Sequence, residues 1–517
     1  MELLPGCDLH RGSAAVLFVA PHGGRRPQHD LRSLPANLRV NDLYTAELAR
    51  ELARRLEASA IVNHGIDRNE VDLNRVSQLR RRAPWLIERL AEECERLAER
   101  HPRVTVFFLH GWNTGQARCD LGVGATGTVN DLRIEPRAAL TADPVFLVQL
   151  VGGLERVPDL EVSLGARYPA GHPNNVVQLF RRRDDQEHPA EQRIAELACS
   201  GRVQAIQLEL GVPLRWPGPW RDAFVEALVA AVSSPVGAGA VSRPLRMDLL
   251  PPGSVAVQGY DAAAGIGLFA AVGAIGERIG ARLLLTLGGQ RIALYTGEES
   301  VRRQVTPLHV SRDEYGIRLR FAGPMLQLED ASLYLDLENA MAHSRLVQGS
   351  VDVVLRYDQA SAHWRDVHYG RLSGTIDTGA RHLAVSTPAV GGSLGGRGEL
   401  IRSSLSAVFE DGEQLMARVF ADGRVETERV GSEGSRKVPG SQLSVVADAA
   451  DHSPTELCWT AEDHPPVTAL PVTRMPIVRG LGRAGYLRVT FGIARIRSGD
   501  RAGHGLFEHS VLVPAAG

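Results

Sequence analysis

The chain has 517 residues, and because a single hydrophobic core rarely serves more than about 300 residues, we expect two large domains. Hydrophobic residues make up 44% and charged residues 23% of the sequence, as is typical of globular proteins. The formal net charge of -2 gives no overall electrostatic reason to bind nucleic acid or an anionic membrane, so we expect neither as a partner.

Strands alternate with helices in the first part of the chain. The apolar run 14–20 predicts a buried strand that opens into the loop holding His22, and the spacing of Leu and Ala over 42–56 predicts a helix. Asp42 is predicted as the N-cap or a first-turn acid of that helix. Further helices are predicted at 83–100, 189–199 and 218–232, and further buried strands at 104–109 and 203–210. This order predicts an α/β domain with a mostly parallel sheet covered by helices on both faces.

The texture of the sequence changes after the last of these helices. Small residues prevail there, and few apolar residues recur at a regular spacing. We therefore place a linker at 236–245, between a domain at 1–235 and a domain at 246–517. Beyond the linker, alternating segments such as 316–321 and 350–357 are separated by Gly, Asp and Ser. This pattern predicts an all-β domain, either a barrel or a sandwich, in one body or two subdomains.

Cysteine use and the first residues indicate where the protein works. The five cysteines are odd in number and form no Cys-x-x-Cys pair, so neither a disulfide framework nor a thiolate zinc site is indicated. The N-terminal residues lack the basic and apolar regions of a signal peptide, and no stretch approaches the ~20 apolar residues needed to span a bilayer. We therefore expect a soluble, cytoplasmic protein.

Three polar residues follow or end predicted buried strands. His22 follows the first strand, His110 follows the strand at 104–109, and Glu209 ends the apolar run that starts at 203. Ligands of open α/β sheets collect at the carboxyl ends of the strands. Each residue alone is typical of a hydrogen-bonded structural role, but together they supply two imidazoles and a carboxylate, the groups that a catalytic zinc site needs.

A charge-rich segment lies between the two histidines. Arg68 and Arg75 flank Asp72-Leu73-Asn74, which follows a short strand-like segment. Such a run is often a solvated, salt-bridged loop. Arginine also binds carboxylates through two parallel hydrogen bonds, so the alternative is a site that recognises an acidic substrate.

These segments carry a resemblance to a known family. The post-strand Pro-His-Gly-Gly around His22, the Asp-Leu-Asn-Arg ending at Arg75 and the Leu-His-Gly-Trp-Asn ending at Asn113 occur in that order. In this the N-terminal domain resembles the N-formylglutamate amidohydrolases and, more distantly, the aspartoacylases. The resemblance covers about 210 residues and implies a zinc carboxypeptidase-like fold.

The resemblance also implies roles for individual residues. It makes His22 and His110 zinc ligands and Glu209 the general base. It assigns substrate binding to Arg68, Asn74, Arg75 and Asn113, with Arg68 also catalytic. The implied reaction is zinc-dependent hydrolysis of an amide bond in an N-formyl or N-acyl amino acid, with a small, carboxylate-bearing substrate.

The third zinc ligand departs from one family pattern. Aspartoacylases have a Glu three residues after the first His, whereas position 25 here is Arg. An acid at the start of the following helix fills this role in the related cell-wall amidases, which makes Asp42 the predicted ligand and Glu47 the substitute. The segment 171–175, Gly-His-Pro-Asn-Asn, is predicted as a plain turn, with a substrate-facing loop as the alternative.

The C-terminal domain offers weaker signals. It faintly resembles the lipocalin-like group of hydratases and hydroxyneurosporene synthases, in the segments 363–370 and 503–509. Barrels of that kind commonly enclose an apolar ligand. Two alternatives to an amidohydrolase therefore remain: a zinc peptidase or cell-wall amidase that uses the same metal site, and a binding protein with a degenerate hydrolase domain and an apolar ligand in the β domain.

Overall fold

The chain divides into two compact units. The computed structural model describes residues 2–26, 39–129, 131–181, 187–233, 255–275, 278–299, 307–357, 367–392, 401–431, 434–448, 453–480 and 486–513. The first unit holds the described residues up to 233, and the second holds nearly all the rest, from 255 onwards. The predicted linker at 236–245 lies outside the described residues, so the predicted domain boundaries stay a prediction.

The first unit is built from strands and helices in alternation. Its strands are β1 (Glu2–Leu4), β2 (Cys7–His10), β3 (Val16–Ala20), β4 (Ser59–Asn63), β5 (Val104–Gly111), β6 (Arg118–Gly122), β7 (Ala125–Thr128), β8 (Asp131–Ile134), β9 (Glu161–Leu164) and β10 (Val203–Leu210). Its helices are α1 (Thr45–Leu56), α2 (Val76–Arg82), α3 (Pro84–Ala98), α4 (Pro144–Leu154), α5 (Pro189–Cys199), α6 (Val212–Arg215) and α7 (Pro219–Ser233). Every strand and helix predicted for this half is present, with ends that shift by a few residues.

The sheet of the first unit is mixed, and the prediction of a mostly parallel sheet is therefore wrong in part. Its order is β1-β2-β4-β3-β5-β10-β6-β9-β7-β8. The centre, β4-β3-β5-β10, is parallel. Antiparallel pairs surround it, because β2 joins β4 and β6 joins β10 in the opposite sense. The short outer strands have no long apolar run that would have marked them in the sequence.

Helices cover both faces of this sheet, as predicted. In β3, Phe18 packs into the core shared with α1, α4 and α7, whereas Leu17 packs into the core shared with α3 and α5. Both side chains are completely buried. A strand that is buried on both faces reads as a continuous apolar run, which is why β3, β5 and β10 are predictable from the sequence.

The second unit is almost entirely β. Its strands are β11 (Val255–Asp261), β12 (Ile266–Ile275), β13 (Arg278–Thr286), β14 (Ile292–Glu299), β15 (Leu308–Arg312), β16 (Gly316–Leu328), β17 (Arg345–Tyr357), β18 (Val367–Asp377), β19 (His382–Gly392), β20 (Ile401–Phe409), β21 (Gln414–Phe420), β22 (Val425–Gly431), β23 (Gly434–Lys437), β24 (Gln442–Ala447), β25 (Pro454–Ala461), β26 (His464–Pro471), β27 (Met475–Gly480), β28 (Tyr486–Ser498) and β29 (Arg501–Val513). One short helix, α8 (Leu337–His343), interrupts the described strands.

These strands form two antiparallel sheets, which confirms the all-β prediction. The first runs β14-β13-β12-β11-β19-β18-β17-β16-β15, and a short pairing of β14 with β16 closes it on itself. The second runs β23-β22-β21-β20-β29-β28-β26-β25-β24, with β27 paired to β28. Each sheet has its own apolar core, so the interior of the first is filled by side chains.

Within the described residues, no helix combines the length and the apolar character needed to cross a bilayer.

Candidate metal centre

Three polar side chains lie at the carboxyl ends of neighbouring parallel strands. β5 pairs with β3 on one side and with β10 on the other. His22 follows β3, His110 is the penultimate residue of β5, and Glu209 is the penultimate residue of β10, opposite His110 in the register. The strand order therefore brings these side chains to one edge of the sheet, where α/β folds place their ligands.

Asp42 joins the two histidines in a compact cluster. Its Oδ2 lies 3.2 Å from Nδ1 of His22 and 3.1 Å from Nδ1 of His110. The centroids of the imidazole rings are 4.9 Å apart, and the rings cross at 72°. All three side chains are buried. Each offers one donor atom, and the three atoms lie close enough together to hold a single metal ion.

The spacing and hydrogen bonds of this cluster fit zinc. Two ligand atoms of a tetrahedral zinc ion lie about 3.3 Å apart, because each is about 2.0–2.1 Å from the metal. Nε2 of His22 donates to Oδ1 of Asp72 at 2.7 Å, so Nδ1 is the ring nitrogen of His22 that is available to a metal ion.

Asp42 is kept ionised by its neighbours. Nη1 of Arg68 donates to Oδ1 of Asp42 at 3.0 Å. Burial alone would raise the pKa of Asp42, but Arg68, His110 and His22 outweigh burial and hold that pKa well below its usual range. A metal ligand must be deprotonated, so this carboxylate is in the form that binding requires.

The position of Asp42 corrects a prediction about α1. The helix begins at Thr45, after Tyr44, which has a left-handed φ of 66°. Asp42 is therefore neither its N-cap nor a first-turn acid, and its carbonyl accepts hydrogen bonds from the backbone N–H and the hydroxyl of Thr45. Glu47 lies within α1, is 42% exposed and pairs with Arg25 at 3.6 Å. The structure therefore places Asp42, and not Glu47, beside the histidines.

Glu209 stands apart from the metal-binding cluster but on the same sheet edge. Burial raises its pKa to about 7. Nε2 of Gln207 donates to Oε1 of Glu209 at 2.8 Å. The carbonyl oxygen of the Gln207 side chain accepts from Nδ2 of Asn175 at 3.0 Å and from Nδ2 of Asn74 at 3.5 Å. A chain of side-chain amides thus ends on Glu209 and orients it.

A cavity of about 300 Å³ opens onto these residues. Its walls include His22, Asp42, Arg68, Asp72, Asn74, Arg75, His110, Arg167, Tyr168, His172, Asn175, Gln207 and Glu209. The structure therefore brings together every predicted site residue except two, Glu47 and Asn113. Several basic side chains among these residues make the cavity suited to an anionic group.

Asn113 does not line this cavity. Its side chain is exposed, and its Oδ1 accepts a hydrogen bond from Nη2 of Arg215 at 3.1 Å. The predicted substrate-binding role of Asn113 is therefore not supported by its position. His110 and Gly111, in the same Leu-His-Gly-Trp-Asn segment, do line the cavity.

The segment 171–175 is more than the plain turn that the sequence predicts. His172 and Asn175 line the cavity, and Asn175 pairs with Arg75 in an isolated β-bridge. The backbone N–H of Val76 donates to the carbonyl of Asn174 at 3.0 Å. The segment that carries Asn74 and Arg75 is therefore held against the segment that carries Asn175, so the alternative prediction of a substrate-facing loop fits the structure better.

Several residues that organise the site were not predicted from the sequence. Asp72 lies within the Asp-Leu-Asn-Arg motif, and its side chain, which binds His22, was given no role. Asp120 is fully buried in β6 and accepts from the backbone N–H groups of Ala166, Arg167 and Tyr168, which fixes the loop on one wall of the cavity. Of these two residues, only Asp72 could have been found from the sequence, because it lies in the motif. Asp120 is a lone acid in a short outer strand, and no sequence pattern marks it.

Comparison with known proteins assigns no family. No family model matches this chain, and no curated protein matches it either. Several solved structures match this chain at low sequence identity. An N-formylglutamate amidohydrolase from Ralstonia eutropha is 14% identical, with a TM-score of 0.31, over 44% of this chain and 96% of its own.

Two further solved structures match about half of the chain. A protein from Nitrosomonas europaea assigned as AttH is 12% identical, with a TM-score of 0.33, over 50% of this chain and 92% of its own. Kievitone hydratase from Nectria haematococca is 13% identical, with a TM-score of 0.31, over 51% of this chain and 89% of its own. These similarities are too distant to assign either unit to a family.

Proposed function

We propose that the N-terminal unit is a zinc-dependent amidohydrolase that cleaves the amide bond of a small N-formyl or N-acyl amino acid. The observation that carries this proposal is the meeting of His22, Asp42 and His110 with a separate carboxylate, Glu209, on one cavity. Hydrolytic zinc sites combine three protein ligands, an open position and a nearby base. The order of the sequence motifs supports the same reaction.

In this proposal Nδ1 of each histidine and a carboxylate oxygen of Asp42 would hold the zinc ion. When bound, the ion would lower the pKa of a water molecule to about 7 and polarise the amide carbonyl. Asp72 holds the ring of His22 in one tautomer, and Arg68 holds the carboxylate of Asp42 from its other oxygen. These outer contacts fix the direction of the ligand atoms.

Glu209 acts as the general base and then as the general acid. Its Oε1 already accepts a hydrogen bond from Gln207. Its other oxygen, Oε2, therefore takes the proton from the attacking water and passes it to the amide nitrogen as the carbon–nitrogen bond breaks. Because Gln207 is itself held by Asn175, the base keeps one orientation through the reaction.

The two arginines of the motif take different roles. Arg68 donates to Asp42 through Nη1, and its side chain lines the cavity. Its guanidinium is therefore suited to stabilise the oxyanion that forms on the amide carbonyl. The side chain of Arg75 is 36% exposed, and its Nε lies 3.6 Å from Asp72. Since Arg75 also lines the cavity, its guanidinium is proposed to bind a carboxylate of the substrate.

The size of the cavity favours a small substrate. About 300 Å³ lies at the lower end of the range for small-molecule sites. This volume suits one acylated amino acid better than a peptide or a cell-wall fragment. The zinc peptidase and the cell-wall amidase therefore remain as alternatives. They would use the same metal site but would bind a larger substrate in the cavity.

Metal analysis and an amide-hydrolysis assay on the full-length protein test the proposal. We expect about one zinc per chain, and we expect a chelator to abolish hydrolysis of N-formyl or N-acetyl acidic amino acids until zinc is restored. Purified protein that binds no zinc would refute the proposal. Hydrolysis of peptides or cell-wall fragments, with no turnover of acylated amino acids, would favour the alternatives.

A second candidate function concerns the C-terminal unit. A cavity of about 120 Å³ lies between its two sheets, lined by apolar side chains that include Phe269, Leu284, Phe491, Leu506 and Phe507. A neighbouring cavity of about 350 Å³ shares Leu506. We propose that this cleft, and not the filled interior of the first sheet, binds a small apolar ligand.

A neutral apolar dye such as Nile red tests this second proposal. We expect its fluorescence to rise on binding to the protein, and we expect Leu506→Asp to reduce that rise because it places a charge in the cleft. Leu470→Asp is the matched control, since Leu470 is 43% exposed in the same unit. Equal dye binding by both variants would refute an apolar site in the cleft.

A cytoplasmic location and the exclusion of nucleic acid and membrane stay predictions.

A further inference from the structure

Arg215 is a fully buried arginine at the end of α6. Its Nε donates to the carbonyl of Leu210 at 3.0 Å, and its Nη1 donates to the carbonyl of Leu43 at 2.8 Å. Its Nη2 donates to the carbonyl of Trp112 at 3.3 Å and to Oδ1 of Asn113 at 3.1 Å. In the described part of the chain, all its hydrogen bonds thus go to uncharged oxygens.

The three backbone carbonyls that Arg215 binds belong to three different segments of the candidate metal centre. One carbonyl is that of the residue directly after Asp42. Another is that of the residue directly after Glu209, and the third comes two residues after His110. A single guanidinium therefore connects the loop before α1 with the ends of β5 and β10.

Gly111 lets the guanidinium come this close. A Cβ at position 111 would collide with Nη1 and Cζ of Arg215 and would lie 3.0 Å from the Cβ of Asp42. Gly111 follows His110 directly, so the planar side chain of Arg215 packs against the backbone that carries this histidine. Any larger residue at position 111 would push Arg215 or Asp42 out of place.

A buried cation without an ion pair is costly for a fold. Removing an ammonium or guanidinium from water costs several kcal/mol even after relaxation. Burial lowers the pKa of Arg215 to about 10, so it remains charged at neutral pH, and the carboxylates that oppose burial are those of Asp42 and Glu209. An apolar residue of similar size would fill this space with no such cost. The presence of arginine therefore indicates that the hydrogen bonds donated by its guanidinium are needed at this position.

We infer that Arg215 is a positioning residue that sets the relative placement of Asp42, His110 and Glu209 by holding their three backbone segments together. This inference rests on the proposed zinc site, since placement of ligands is what it explains. Substitutions of outer groups that orient metal ligands typically reduce metal affinity by 10–100-fold. A lysine cannot replace Arg215, because one ammonium cannot reach three carbonyls on separate segments.

The test measures metal binding by the full-length protein, with zinc affinity from competition with a chromophoric chelator and the absorption spectrum of bound cobalt(II). We expect Arg215→Met to weaken zinc binding about 10–100-fold and to alter the cobalt spectrum, because the ligands lose their fixed geometry. Arg215→Lys should also bind zinc at least about ten-fold more weakly than the wild type. If Arg215→Met does not fold, the zinc affinity of Arg215→Lys tests the inference.

Arg221→Met is the matched control. Arg221 is also buried in this unit, at 8% exposure, but it donates to the carboxylate of Glu51 in α1 and not to a backbone carbonyl of the metal centre among the described residues. We expect this variant to lose stability without change in zinc affinity or cobalt spectrum. Wild-type affinity and spectrum in a folded Arg215 variant, or an equal loss in Arg221→Met, would overturn the inference. Wild-type protein that binds neither ion would instead refute the proposed function.

Discussion

The two units of this protein bury their ionisable groups in different ways. In the first unit, His22, Asp42, His110 and Glu209 meet at one edge of one sheet. In the second unit, buried charged side chains are spread over separate elements: Asp261 in β11, Glu338 in α8, Glu428 in β22 and Arg488 in β28. Among the described residues, the cluster able to hold a metal is in the first unit.

Function is therefore to be sought where buried ionisable groups meet. Burying a charged group is unfavourable unless it is paired, so a fold that only needs stability gains nothing by collecting such groups in one place. Concentrated, mutually perturbed groups around a cavity are typical of active sites. Substitutions in the first unit, with matched substitutions in the second unit as controls, test this difference.

Removing a metal ligand should have the largest effect. We expect His110→Ala to lose most of its zinc, because only two of the three protein ligands remain. Turnover should fall by more than the roughly 10²–10⁴-fold expected for loss of a general base. Zinc content and rates of amide hydrolysis measure both effects. His504→Ala, in the second unit, should retain zinc and activity, and full zinc occupancy in His110→Ala would contradict the assignment.

Removing the base should reduce turnover without loss of metal. We expect Glu209→Gln to keep its zinc while kcat falls by roughly 10²–10⁴-fold, the usual contribution of a positioned acid or base. Glu428→Gln is a matched control, because burial also raises the pKa of Glu428 to about 7. An unimpaired Glu209→Gln enzyme would mean that another carboxylate moves the proton.

Removing the charge of the substrate should have a smaller effect. If Arg75 binds a substrate carboxylate, N-formyl acidic amino acids should be hydrolysed at least about ten-fold more efficiently than the same compounds amidated at the α-carboxyl. Arg75→Lys should lose much of this preference, because an ammonium cannot form the planar pair of hydrogen bonds. The ratio of kcat/KM for acid and amide is the measurement. Equal kcat/KM values for acid and amide would mean that Arg75 does not bind the substrate carboxylate and has a structural role. The zinc mechanism would not be affected by that result.

Removing the second unit should have the smallest effect on the metal. The first unit has its own cores on both faces of its sheet, so a fragment ending at residue 235 should fold and bind zinc. Circular dichroism and zinc analysis of the fragment check this expectation. An insoluble fragment would show that the two units depend on each other for folding, against the comparison drawn above.

The sequence predicts the elements of the first unit well where burial is two-sided. β3, β5 and β10 are continuous apolar runs, and the polar residues that follow or end them, His22, His110 and Glu209, are recognisable for that reason. The outer strands β6 to β9 are short and interrupted by polar residues, so their pairing, which is antiparallel except between β6 and β9, left no pattern. The prediction of a mostly parallel sheet failed at these strands.

Contacts across the site were less predictable than its strand ends. Asp42 was chosen as a ligand from a family pattern, yet its place outside α1 depends on the left-handed turn at Tyr44, which no local pattern marks. Gln207 and Arg215 bind partners that are distant in the sequence. The side chain of Gln207 accepts from Asn175, and Arg215 donates to the carbonyl of Leu43, each more than 30 residues away. Such contacts depend on strand order and register, which periodicity does not encode.

The amide chain that ends on Glu209 has a direction. Asn175 donates to Gln207, and Gln207 donates to Glu209, so each side-chain amide has its carbonyl turned towards its donor. Reversing one amide would set two oxygens against each other and would force the next to reverse as well. Over evolutionary time, positions 175, 207 and 209 are therefore expected to vary as a set. A homologue with a changed residue at one of them should carry a compensating change at another.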